Sequence, residues 1–142
     1  MTRSSIPETL RQIIFEDAHY RCGYCLTTQK VSGGQLHVEH ITPIAAGGAA
    51  ERGNLWLACA WCNSYKGAQT EARDPLTNRS VPLFNPRTQV WHEHFTWSDD
   101  GTRIIGQTAC GRATVVALRL NNVVMVEARR LWVKAHWHPP KE

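Results

Sequence analysis

Two pairs of cysteines, each separated by two residues, constrain this chain more than any other feature of its sequence. They lie at Cys22–Cys25 and Cys59–Cys62. A two-residue gap lets both thiolates of a tight turn face one ion, and two such turns complete a tetrahedral site. The spacing therefore predicts a closed four-cysteine zinc site that brings the two pairs together. Four thiolates leave no open position for water, so we expect this zinc to hold the structure and not to react.

Unliganded buried cysteines and a thioredoxin-like redox pair are the alternatives to zinc. The N-terminal residues 1–5 lack the apolar stretch of a secretory signal, which predicts a cytoplasmic protein with reduced thiols. In a reducing compartment, two pairs at this spacing are typical of zinc ligands and not of disulfides. The fifth cysteine, Cys110, belongs to neither pair, and we expect it to pack as a small apolar side chain.

The composition is that of a globular domain of ordinary size. Of the 142 residues, 42% are hydrophobic and 20% are charged, which is enough for a core and too little charge for a disordered chain. The length excludes a TIM barrel, and no apolar run approaches the roughly 20 residues of a membrane span. A net charge of +4 favours a polyanionic partner such as nucleic acid, without proving one.

The apolar periodicity predicts a chain of the α+β class. Residues 6–15 have the spacing of an amphipathic helix that Ser5 can cap. Residues 36–41 alternate like a short strand, and residues 59–66 resemble the first turns of a helix. The C-terminal half predicts an irregular proline-containing segment, a β-hairpin and two helices that Asn121 and Asn122 separate, over residues 74–86, 94–106, 111–120 and 123–135.

The segment between the cysteine pairs contains the side chains that hydrolysis of a phosphodiester requires. That reaction needs a base for the attacking water and a hard divalent cation that neutralises charge on the phosphate. Glu39 and Asn63 offer oxygen ligands, and His40 offers an imidazole. Neighbouring strand residues face opposite sides, so Glu39 and His40 share a site only if the strand ends or bends there, as Pro43 and Gly47 favour. Taken singly, these two residues are better explained as a core histidine and a surface carboxylate.

The order of motifs over residues 22–67 resembles the HNH endonuclease family. The resemblance is carried by both cysteine pairs and by His37-Val38-Glu39-His40-Ile41, Pro43, Gly47-Gly48, Asn54-Leu55, Asn63 and Lys66-Gly67. It implies a ββα-metal (His-Me finger) core stapled by zinc, with an N-terminal helix and a C-terminal β-hairpin plus helices. We expect a single domain over 1–142, with the core at about 19–70 and an extension at about 71–142.

The resemblance also implies a role for each polar residue. His40 lies at the position of the general base, and Asn54 at that of the asparagine that shapes the loop and orients the base. Glu39 lies at the acidic metal-ligand position, where aspartate is more common. Asn63 lies where many members have histidine, which makes this chain an H-N-N variant. With Glu39, it is expected to hold a catalytic Mg²⁺ or Mn²⁺.

The expected substrate is double-stranded DNA. Lys66 and Arg21 flank the cysteine pairs and are candidate phosphate contacts, with solvated surface charge as the alternative. His37 contacts phosphate, assists metal binding or packs. Two other functions compete with a metal-dependent DNA endonuclease: a zinc-stapled nucleic-acid-binding module without cleavage, and a thiol redox protein, which would not need Asn54 or Asn63.

Overall fold

Short helices alternate with three two-stranded antiparallel sheets in the computed structural model, which describes residues 6–141. The helices α1 to α6 comprise Glu8–Asp17, Gln29–Ser32, Ala60–Lys66, Trp91–His94, Ala109–Ala117 and Val123–Lys134. The strands β1 to β6 comprise Leu36–His40, Leu55–Cys59, Glu71–Arg73, Ser80–Pro82, Phe95–Trp97 and Ile104–Gly106. Over this described range, each helix is too short or too polar to cross a membrane.

The sheet of β1 and β2 leads directly into α3. Its register pairs Leu36 with Cys59 and His40 with Leu55. Cys59 ends β2 and caps α3, because its sulfur accepts a hydrogen bond from the backbone N–H of Cys62. The predicted strand over 36–41 and the predicted helix over 59–66 are both confirmed, although the strand ends at His40 and the helix begins at Ala60. β2 was not predicted, because it is buried at four of its five positions and therefore lacks the alternation of a half-exposed strand.

Helix α1 packs against β2 through the fully buried Ile14. The helix begins two residues later than predicted, since Pro7 immediately precedes its first turn; the predicted Ser5 cap lies outside the described residues. At its other end, Asp17 accepts hydrogen bonds from Arg52 and Arg87. The Arg52 contact is the main reason that the pKa of Asp17 is lowered to about 2. This carboxylate therefore ties α1 to the β1–β2 loop and to the C-terminal half.

The segment predicted to be irregular, residues 74–86, contains the turn and the second strand of the β3–β4 hairpin, whose first strand immediately precedes it. Pro75 lies in the hairpin turn, whereas Pro82 ends β4, and strands of three residues are too short to leave a periodic pattern. Asp74 at the end of β3 is fully buried and accepts two hydrogen bonds from the guanidinium of Arg112 in α5, at 2.9 and 3.0 Å. This ion pair holds the pKa of Asp74 well below its usual value, so the buried carboxylate remains charged.

The predicted C-terminal hairpin and both predicted helices are confirmed. β5 pairs with β6, although His94 belongs to α4 and not to the hairpin. Asn122 caps α6 by accepting a hydrogen bond from the N–H of Met125. The guanidinium of Arg129 in α6 is buried, where it donates to the carbonyls of Thr102 and Leu120. These bonds hold the hairpin, the end of α5 and α6 together.

Both halves of the chain contribute to one hydrophobic core. Trp91 in α4 donates its indole N–H to the carbonyl of Tyr24, between the first two cysteines, at 2.8 Å. The ring of Phe84 packs edge-on against the ring of Tyr24. The guanidinium of Arg87 donates to the carbonyl of Leu55, which begins β2. The extension therefore supports the segment that contains the candidate site.

The C-terminal residues dock through the imidazole of His138. The ring packs edge-on against Trp97, and its Nε2 lies 2.9 Å from the carbonyl oxygen of Gly101. Burial lowers the pKa of His138 to about 4, and the nearby Arg129 cation acts in the same direction. The neutral imidazole is therefore the form that the folded state prefers.

We predict that this histidine makes the fold less stable in mild acid. Because its pKa is about 4 when folded and near 6.5 when unfolded, the unfolded chain binds the proton first as the pH falls. Its contribution is complete above pH 6.5 and is lost as the pH falls towards 4. Between about pH 7.5 and about pH 5.5, the free energy of unfolding should fall by about 1 kcal/mol from this group alone.

Urea unfolding at the two pH values and a fixed zinc concentration measures this loss. His138→Gln, which is neutral at both, should lose about 1 kcal/mol less than the parent on acidification. The exposed His136→Asn serves as the matched control and should retain the parental dependence. Parental pH dependence in His138→Gln would show that this imidazole is not the group responsible.

Candidate functional site

Four cysteine sulfurs meet beside the β1–β2 sheet. Cys22, Cys25, Cys59 and Cys62 are all buried, and their sulfur atoms lie within 4.8 Å of one another. Hydrogen bonds from the neighbouring thiols, that of Cys22 first, lower the pKa of Cys59, so this group ionises readily. Four soft sulfur donors at this separation can converge on one tetrahedral ion, and the donor set therefore fits Zn²⁺.

The first cysteine pair is held against β2 by its backbone. The N–H of Gly23 donates to the carbonyl of Leu57 at 2.9 Å, and that of Cys22 donates to the carbonyl of Thr27 at 2.9 Å. A Cβ atom on Gly23 would lie 2.4 Å from the indole of Trp56, which is closer than real Cβ contacts allow. Position 23 therefore requires glycine if the two cysteine pairs are to meet.

A cleft of about 670 Å³ opens where β1 ends beside α3. His37, Glu39 and His40 of β1 and Asn63 of α3 all line it, and so does Arg11 of α1. The rest of the wall is largely apolar and includes Ile6, Val38, Pro43 and Ile44. Neighbouring residues of a regular strand face opposite sides, but β1 ends at His40, so Glu39 and His40 can both line the cleft.

Asn54 closes the loop that follows His40. Its side-chain oxygen accepts from the N–H of Thr42 at 2.8 Å, and its amide nitrogen donates to the carbonyls of Thr42 and Ala49, both at 3.0 Å. Gly48 packs so closely here that an added Cβ would lie 1.7 Å from the Thr42 oxygen. One amide side chain and one glycine thereby fix the backbone two residues beyond the imidazole.

Glu39 is buried and its two carboxylate oxygens are both engaged. The hydroxyl of Tyr24 donates to one oxygen, and the ammonium of Lys66 lies 3.4 Å from the other. Burial raises the pKa of Glu39 to about 7, against the opposing effect of the Lys66 cation. Burial also raises the pKa of Tyr24 well above its usual value, so this hydroxyl remains a donor. The sequence analysis missed Tyr24, whose location inside the first cysteine pair was the available signal.

Lys66 is 2% exposed, and its ammonium faces the interior. Besides Glu39, it donates to the backbone carbonyls of His40 at 3.1 Å and Ile41 at 3.0 Å. These three acceptors match the three donors of an ammonium group. This placement argues against the predicted contact of Lys66 with phosphate, because all three donors of its ammonium group are already engaged by buried protein oxygens. Lys66 instead joins the end of α3 to the end of β1.

Arg21 and His37, the other two predicted DNA contacts, lie in different places. His37 is exposed on β1 and lines the cleft. Arg21 is half-buried, donates to the carbonyl of Lys141 at 3.0 Å and borders a separate, smaller cavity of about 150 Å³. The structure therefore brings His37 to Glu39, His40 and Asn63, and it does not bring Arg21 there.

The comparison with known families concerns the same part of the chain. Residues 22–69 match the HNH endonuclease family. This HNH segment contains both cysteine pairs, β1, β2 and α3, and the match is consistent with a member of that family. Neither the curated proteins nor the solved structures contain a significant match. HNH domains are generally nucleases, so the match suggests nuclease activity, and the cysteine cluster suggests zinc binding.

We predict that the four-cysteine cluster binds one zinc ion whose binding energy is part of the folding energy. Cys59→Ser should lose the zinc and unfold or aggregate, because three sulfurs and one hydroxyl make a poor tetrahedral site. Cys110→Ser, which changes a cysteine outside the cluster, should keep one zinc per chain and the parental fold. Metal analysis of freshly purified protein, together with circular dichroism, measures both; zinc-free but folded parental protein would refute the prediction.

We predict that Lys66→Met destabilises the fold by about 3 kcal/mol, because the buried carbonyls of His40 and Ile41 lose their donor and the buried Glu39 carboxyl loses its cation and must take up a proton. Lys30→Met, which changes an exposed lysine in α2, should cost less than about 0.5 kcal/mol. Adding Glu39→Gln to Lys66→Met should recover part of the loss, since a neutral amide needs neither a cation nor a proton. Urea unfolding near neutral pH gives all three values. Equal stability of the Lys66→Met and Lys30→Met variants would contradict the role assigned to the ammonium.

Proposed function

We propose that this protein is a metal-dependent endonuclease that hydrolyses phosphodiester bonds of double-stranded DNA in the cytoplasm. The observation that carries the proposal is that His40, Glu39 and Asn63 line one cleft inside the segment that matches the HNH family. The segment has the β1, β2, α3 order that a ββα-metal core requires. The net charge of +4 suits a polyanionic substrate.

Glu39 and Asn63 are the residues that would hold the catalytic divalent cation. Each oxygen of Glu39 keeps a further lone pair beside its bond to Tyr24 or Lys66, and Asn63 is exposed at the cleft. A carboxylate and an amide oxygen suit Mg²⁺ or Mn²⁺, which retain several waters and accept a substrate phosphate. The bound cation supplies charge neutralisation at the phosphate and at the leaving oxygen.

His40 acts as the general base. Its neutral imidazole takes a proton from a water whose oxygen bonds to phosphorus, while the bond from phosphorus to the leaving oxygen breaks and that oxygen ends protonated. Lys66 holds the carbonyl of His40, and Asn54 fixes the loop two residues later. These contacts support an imidazole whose backbone is held on both sides, which is what a positioned base requires.

The burial of Glu39 favours a second candidate function. If the ion pair with Lys66 withholds this carboxylate from the cation, the protein is a zinc-stapled nucleic-acid-binding module without cleavage activity. The two functions differ in one measurement, since only the endonuclease converts supercoiled plasmid to nicked or linear forms when Mg²⁺ or Mn²⁺ is added. Binding of DNA without any cleavage in either metal would select the second function.

For the endonuclease, we predict that His40→Ala lowers turnover by about 10² to 10⁴-fold, the usual range for the loss of a general base. His37→Ala, the matched change of an exposed histidine in the same strand and cleft, should lower turnover much less. Zinc content and DNA affinity should remain near parental in both variants. Plasmid cleavage with and without added Mg²⁺ measures turnover; a folded, zinc-loaded His40→Ala protein that cleaves at the parental rate would remove His40 from this role.

A further inference from the structure

The cleft has an uneven distribution of positive charge. Lys66 neighbours it in space, but its ammonium is turned inward to Glu39 and two carbonyls. Among the described residues that line the cleft, Arg11 of α1 is the one whose side chain carries a permanent positive charge. It lines the same cavity as His40 and Asn63 although it lies far from both in sequence and outside the segment that matches the HNH family.

The guanidinium of Arg11 is weakly engaged in its own helix. Its Nε lies 3.7 Å from a carboxylate oxygen of Glu8, and both side chains are well exposed to solvent, at 40% and 84%. An exposed pair at this separation stabilises a protein very little. The guanidinium carbon also lies 6.0 Å from the centroid of the Phe15 ring, at the outer limit of a cation–π contact. An anion in the cleft could therefore engage this group at little cost.

The backbone that carries Arg11 is firmly placed. Ile14, one turn later in α1, is fully buried, and Asp17 at the end of the helix binds Arg52 and Arg87. Because the helix is anchored, binding of a ligand orders the side chain of Arg11 alone and costs no backbone entropy. Arginine also presents a planar fork that matches two oxygens of one phosphate group, which a lysine cannot do.

We propose that Arg11 is a further catalytic residue, which binds the non-bridging oxygens of the phosphate that is cleaved. The proposal rests on the endonuclease function. The two donors of the fork hold the phosphate beside the imidazole of His40, and the guanidinium stabilises the negative charge that these oxygens gain as water attacks. The group recognised is a nucleic-acid phosphodiester, and no base is read by this contact.

Steady-state plasmid cleavage in Mg²⁺ tests the proposal with three variants. Arg11→Ala should lower kcat/KM by about 10²-fold, in the range for removing a donor to a developing oxyanion. Arg11→Lys should recover only part of this loss, because it restores the charge without the fork. Arg103→Ala removes an exposed arginine that does not line the cleft, and it should stay within about twofold of the parent. Arg11→Ala cleaving as fast as Arg103→Ala overturns the assignment and leaves the endonuclease function intact.

If the parent does not cleave DNA, its binding of DNA without added Mg²⁺ tests the contact of Arg11 with phosphate separately from the endonuclease function. The slope of log affinity against log salt should decrease by about 1 for Arg11→Ala relative to Arg103→Ala, because one phosphate contact is lost. A parent that binds DNA with this slope difference but never cleaves contradicts the endonuclease and supports the contact of Arg11 with phosphate. Equal slopes for the two variants in such a protein overturn the contact as well.

Discussion

The buried ammonium of Lys66 is the interaction on which the candidate site depends. A charge removed from water costs several kcal/mol unless strong partners replace the lost hydration. Here the partners are the carboxylate of Glu39 and the carbonyls of His40 and Ile41. Tyr24, which lies between the first two cysteines, donates its hydroxyl to the same carboxylate and so links the first cysteine pair to this ion pair. One charge thus sets the positions of β1, α3 and the first cysteine pair relative to one another.

This arrangement places opposing demands on Glu39 if the protein is an endonuclease. The Lys66 cation stabilises the carboxylate, yet it also repels any second cation that approaches the same oxygens. Asn63 contributes an amide dipole and no charge, so the protein alone gives a divalent ion little net attraction. A substrate phosphate supplies the missing negative charge, which couples metal binding to DNA binding in this cleft. The negative charge of a bound phosphate would also offset the positive charge of Arg11, which lines the same cleft.

The sequence predicted the features that depend on local chemistry. The cysteine spacing, the alternation in β1 and the capping asparagine at position 122 all act within a few residues. β2 escaped prediction because burial on both faces removes the period of two. Lys66 was interpreted as a candidate phosphate contact or as a solvated surface charge, because its acceptors lie about 25 residues away in the chain, where no local pattern marks them. The bond of Tyr24 to Glu39 was likewise hidden, because the two residues are 15 apart, although the location of Tyr24 inside the first cysteine pair was a local signal.

The packing of the extension on the first cysteine pair has a practical consequence for protein engineering. Trp91, Phe84 and Arg87 contact Tyr24 and Leu55, which belong to the segment that matches the HNH family. Excising residues 22–69 for transplantation into another scaffold would uncover apolar surface and leave two carbonyls without their donors. A recipient protein would have to supply an indole and a guanidinium in equivalent positions. Residues 22–69, although they match the family, therefore do not form a unit that can be transferred without its supporting contacts.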